Sequence, residues 1–148
     1  MSGVSMRVTF DDAVLRKHLE ALALAKPEKF TALLGDIGED IVGDVQDNIR
    51  AQRLVDGSAM WQSQAAIDRK GKTLLDRGHL RDSYVYQVGG GVLQVGSNMV
   101  YAAIHHFGGR TGRGKKTFIA RRPVLGVNAR REASIARKLG QALLEMTS

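Results

Sequence analysis

The chain has 148 residues, 43% of them hydrophobic but only 5% aromatic, with 22 Lys and Arg against 15 Asp and Glu for a net charge of +7. That length suits one folding unit with an aliphatic core. The absence of cysteine excludes disulfides, thiolate metal sites and cysteine nucleophiles. The opening MSGVSMRVTFDDAV lacks the succession of a secretion signal, and no apolar run reaches the length of a membrane span. Synthesis in a host cytoplasm and no membrane partner are therefore expected.

In chain order, Val4, Met6, Val8 and Phe10 alternate with polar residues, the period of a strand with one buried face. Asp11 and Asp12 offer N-cap oxygens to a short helix carrying Leu15, Leu19 and Leu22. Pro27 suits the first turn of a second helix, whose stripe runs Phe30, Leu33, Leu34, Ile37, Ile41, Val45 and Ile49. From Pro27 to Arg50 such a helix spans on the order of 36 Å, long enough to be the spine of the fold. The stretch from Val55 to Thr73 shows no period and holds Trp61, the sole tryptophan. Unpatterned stretches of this length are often functional. Trp61 has two readings, a packing anchor or a recognition residue, of which packing is the commoner.

Segments 83–88 (SYVYQV) and 92–97 (VLQVGS) flank Gly89, Gly90 and Gly91, the pattern of a hairpin whose turn needs positive φ. A short helix over NMVYAAIHHFGG follows, ended by Gly108 and Gly109. Within it Tyr101 and Phe107 have two readings, anchoring the helix to the sheet or docking a neighbour, of which core packing is the one expected. Residues 108–117, with RTGRGKK at their centre, read as a basic, glycine-rich, mobile loop. Residues 122–127 read as extended, Asn128 as an N-cap, and Ile135, Leu139, Leu143 and Met146 as one face of a terminal helix. The expected class is α+β: a long helix and a C-terminal helix packed on a small, mainly antiparallel sheet, as one domain over 1–148.

Chemistry is sparse. GRTGRGKK imitates a phosphate-binding loop but places Lys116 where Ser or Thr must hold magnesium, and it follows a helix rather than a strand. His105 and His106 point about 100° apart on a helix, so they do not converge on a metal. No serine lies in a nucleophile elbow. Neither a catalytic site, a metal nor a cofactor is expected.

Charge is the stronger signal. Arg110, Arg113, Lys115, Lys116, Arg121, Arg122, Arg130 and Arg131 fall in one stretch without an acid, which invites an anionic partner beside the plainer role of solubilising the surface. Asp36, Asp40, Asp44 and Asp47 line one face of the long helix, either as a solvated face or as a ridge matching the basic stretch of a neighbouring subunit. Arg130 and Arg131 sit in the first turn of the last helix, where the dipole disfavours them by about 0.3 to 1 kcal/mol each. Their expected compensation is DNA in a channel or, by slight preference, a neighbour's acidic ridge.

Several short signatures then fall in a telling order. After Trp61 come Gly71, Lys72, Leu74, Leu75, Gly78, Leu80 and Ser83, then Val95, Gly96 and Ser97. Next is the run Tyr101, Ala102, Ile104, His105, Phe107 and Gly108, and finally Arg122, Pro123, Leu125 and Gly126 before the last helix. Over roughly residues 10–146 this series resembles the phage virion morphogenesis and tail-completion family of Mu-like phages and prophages. The resemblance implies a minor structural protein, without catalysis, that completes the tail or joins it to the head. In layout it is similar to neck proteins that form rings around the DNA channel. Implied partners are further copies of itself, six-fold by expectation, neighbouring neck, tail-tube or connector proteins, and the DNA in the channel. A nucleic-acid-binding protein using residues 110–131 is the alternative, weakened because only Phe118 supplies a stacking ring near the cations.

Overall fold

Leu34, Ile37, Ile41, Val45 and Ile49 recur at spacings of three and four, so a helix through them gathers one apolar face. The computed structural model, which describes residues 3–74 and 78–147, carries that helix (α2) from Pro27 to Ala51 with all five side chains buried. Pro27 stands in the first turn, where its missing N–H removes no helical bond. At the other end Gln52 takes a left-handed conformation, φ 58°, and its N–H donates to the carbonyls of Asn48 and Ile49. Its side chain holds that bend: the amide N donates to Thr73 O at 2.9 Å, and Oε1 accepts from Thr73 N at 2.7 Å. The unpatterned stretch after α2 is thereby fastened back onto the helix end.

Strand β1 (Val4–Val8) leads into helix α1 (Ala13–Ala25), whose cap is the expected one, with Asp12 Oδ1 accepting from Leu15 N at 2.9 Å. Strands β2 (Val85–Gly89) and β3 (Val92–Ser97) form the expected hairpin. Gly90 (φ 58°) and Gly91 (φ 75°) make its two-residue turn, a backbone shape that favours glycine at both places. The strand order is β1-β3-β2, antiparallel throughout. Cross-strand rows Met6–Val95–Tyr86 and Val8–Leu93–Val88 share a face.

Helix α2 packs across β2 and β3 and touches α1 and the last helix, α6 (Ala129–Thr147), which also meets α1. The result is three helices layered on a small antiparallel sheet, the α+β arrangement expected. Asn128 caps α6, its Oδ1 accepting from Arg131 N at 2.9 Å. Of the terminal stripe, Ile135 and Leu139 are buried and Leu143 packs against the core; Leu75, in the stretch before Gly78, and the side chain of Met146 lie outside the described residues. Two five-residue helices, α3 (Gln64–Asp68) and α4 (His79–Ser83), escape sequence reading because one turn carries no period. The second of these claims Ser83, so β2 starts two residues later than the alternation suggests. Among the described residues no helix is long and apolar enough to cross a membrane.

The contact between α2 and the sheet depends on a missing side chain. A Cβ on Gly38 would lie 2.8 Å from Leu93 Cδ1 and 2.9 Å from Tyr86 Cβ, whereas a Cβ on Gly43 meets nothing within 4 Å. Gly38→Ala is expected to lower the unfolding free energy by about 1 to 3 kcal/mol, overpacking outweighing the better helix propensity. Gly43→Ala is expected to raise it by about 0.5 to 1 kcal/mol. Urea midpoints of the two variants should move in opposite directions.

Candidate assembly surface

The chain supplies its candidate surface from α5 (Val100–Phe107) and the stretch that follows it. Gly108 ends α5 at φ 72°, and a Cβ there would press on the backbone of Arg121, so glycine lets the two segments pass closely. Residues 108–117, read as a mobile glycine-rich loop, include short paired strands. Strand β4 (Gly109–Thr111) pairs antiparallel with β5 (Thr117–Ile119) through a helical turn at Arg113–Lys115. Three-residue strands are too short to show alternation, and the glycines that looked like breakers supply the turn.

Arg110, Arg113, Lys115 and Lys116 on this hairpin are exposed, as is Arg121 beyond it. None of these five forms an ion pair with a carboxylate among the described residues. Phe118 lies opposite Arg110 in the register and is 67% exposed. Phe107 is also 65% exposed and Tyr101 40%, correcting the expectation that both pack in the core. Trp61, at 85% exposure, is likewise no packing anchor; its carbonyl, not its ring, is engaged, accepting from Arg122 Nε at 3.1 Å.

Two of the expected partner-binding cations are engaged or hidden within the chain, and a third, Arg130, makes one exposed contact. Arg122 is buried, its N–H donating to His105 O. Arg131 forks onto Asp44, Nε to Oδ2 at 2.6 Å and Nη2 to Oδ1 at 2.8 Å, and lies 3.4 Å from Asp40. Arg130 reaches Asp44 at 3.3 Å, and Lys138, which sequence reading passed over, bridges Asp36 at 3.0 Å and Asp40. The carboxylates hold the Arg131 guanidinium and the Lys138 ammonium above their ordinary pKa values, the hydrogen bonds to Asp44 and Asp40 contributing most. The middle of the acidic ridge, Asp40 and Asp44, therefore faces the chain's own α6, whereas the side chains of Asp36 and Asp47 stay 55% and 64% exposed. The missing signal was present in the spacing: Arg131, Ser134 and Lys138 fall at helical intervals of three and four on α6, and Asp36, Asp40 and Asp44 at intervals of four on α2.

His105 and His106 both bury an Nδ1 that has no hydrogen-bond partner, and burial, with Arg122 and Arg121 nearby, depresses their pKa values. His106 stacks edge-on against Phe107, and Tyr101 against His105. Among the described residues no three His, Asp or Glu side chains gather as a metal site.

Residues 10–144 match the Phage virion morphogenesis family, and the chain belongs to it. It is thus a structural, virion-associated phage protein that acts in particle assembly. A 113-residue stretch is 33% identical to the Mu-like prophage FluMu G protein 2 of Haemophilus influenzae, covering 76% of this chain and 80% of that protein. No solved structure matches the chain.

Proposed function

We propose that the protein completes the tail, or forms the neck joining tail to head, by assembling as a ring around the DNA channel. The observation that carries this reading is the family match over 10–144, which takes in both the folded core and the hairpin. The surface supports it: Phe107, Phe118 and Trp61 are each more than half exposed, and Arg110, Arg113, Lys115, Lys116 and Arg121 stand ready for an acidic neighbour. Ring closure repeats one heterologous contact, and the hairpin offers the same residues in every copy. Partners on this reading are other copies, six-fold by expectation, and adjoining neck, tail-tube or connector subunits.

Deleting the gene from its phage or prophage should give filled heads and separate tails that do not join, visible by electron microscopy, and adding the purified protein should restore infectious particles. Joined, infectious particles made without it would overturn the reading. The cationic hairpin also favours a second reading, direct DNA binding. In that case the purified protein shifts duplex DNA with an affinity that falls steeply with salt, and head–tail joining does not require it.

A further inference from the structure

A cavity of about 410 Å³ is lined by Ala65 and Arg69 near α3 and by Thr73, His79, Tyr101, His105 and Arg122. Arg122 is only 8% exposed, and the acceptors that reach its side chain are two neutral carbonyls, Trp61 O at 3.1 Å and Ala120 O at 3.4 Å. A buried guanidinium is costly unless a counter-charge offsets it. Among the described residues no acidic side chain lines the cavity or pairs with Arg122. His105 adds a buried Nδ1 with no partner, while the buried Thr73 hydroxyl already accepts from Ser63 N at 2.8 Å. Burial lowers the Arg122 pKa, the direction expected for a cation lacking its counter-ion.

We infer that this cavity is a socket for a carboxylate side chain, Asp or Glu, presented by a neighbouring virion protein, with Arg122 as the group that grips it. A planar carboxylate matches the guanidinium fork and reaches inward on a flexible stem. A duplex phosphate, tied to two sugars, does not reach a side chain so deeply set. The socket rests on the virion-assembly reading for its partner but not for its chemistry.

Ala65, exposed on α3 at the cavity wall, allows the socket to be filled from within. Ala65→Glu should raise the melting temperature of the free protein by roughly 3 °C or more over Ala65→Gln. That gain should vanish when Arg122→Gln is added. In particles, Ala65→Glu should cut incorporation by roughly tenfold or more while Ala65→Gln does not, because the socket is already taken. Equal melting temperatures for the Glu and Gln variants would overturn the socket whatever the particle result, and so separate its failure from that of the assembly role. Asp76 lies outside the described residues; if Asp76→Asn and Arg122→Gln destabilise equally and without additivity, the counter-ion is the chain's own and the inference fails. It fails too if Ala65→Glu particles form at wild-type yield but retain DNA abnormally, which would assign the site to nucleic acid.

Discussion

Ile41→Ala is expected to lower the unfolding free energy by about 2 to 5 kcal/mol, and Ile37→Ala by a similar amount, read as a fall in the urea midpoint with little change in slope. Both side chains are fully buried, within the cluster that joins α2 to β3 and to Ile135 and Leu139 of α6. Truncation removes three methyl or methylene groups whose place no neighbour can take, since the facing sheet and α6 are fixed by their own pairings. The lost transfer energy and the residual cavity then add. Stability of a domain this size is about 5 to 15 kcal/mol, so either variant consumes a large share of it. Unchanged midpoints for both would show the stripe to be exposed in solution, which the packing of α2 against the sheet does not permit.

What the sequence made legible followed from periodicity. The stripe of α2, the alternation of β1 and β3, and the paired glycines of the β2–β3 turn each repeat a period that only one backbone geometry satisfies, and each stands where it was expected. Tertiary choices were less visible. Tyr101 and Phe107 are large and apolar, yet α5 turns outward the face that carries them, because Ala102 is the side chain of that helix buried in the core. Trp61 was read from composition, which says how often tryptophan packs but not which way this backbone turns. Arg122 shows the converse error: surrounded by cations in sequence, it was counted with the surface, although the hydrophobic Val124 and Leu125 that follow carry its backbone inward. Of the candidate surface, the hairpin cations and Arg121 are exposed, as is Arg130, whereas Arg131 is held against the carboxylates of α2.

Replacing Arg131 by Met is expected to cost about 2 to 3 kcal/mol, whereas Arg130→Met should stay within roughly 0.5 kcal/mol. The two neighbours differ in geometry and solvent. Arg131 is 12% exposed, makes two short bonds to Asp44, itself 15% exposed, and donates to Ser134 Oγ at 3.2 Å. Removing it leaves Asp44, largely covered between two helices, with the exposed Arg130 alone, and Asp40 beside it with Lys138 alone. Arg130 is 73% exposed and touches Asp44 at 3.3 Å, so water replaces it with little loss. The same pairing explains why two arginines are tolerated in the first turn of α6: the carboxylates of α2 offset the unfavourable dipole there, and they do so within one subunit. The clasp should therefore be a stability element of the free protein, measurable before any assembly. Exchanging charges, Asp44→Arg with Arg131→Asp, should recover part of the loss relative to either change alone, since the coupling energy of a contacting pair survives inversion in part. If Arg131→Met leaves the midpoint of the free subunit unmoved and instead blocks particle formation, the ridge on α2 belongs to a neighbour's arginines after all, and α6 packs on α2 through Ile135 and Leu139 alone.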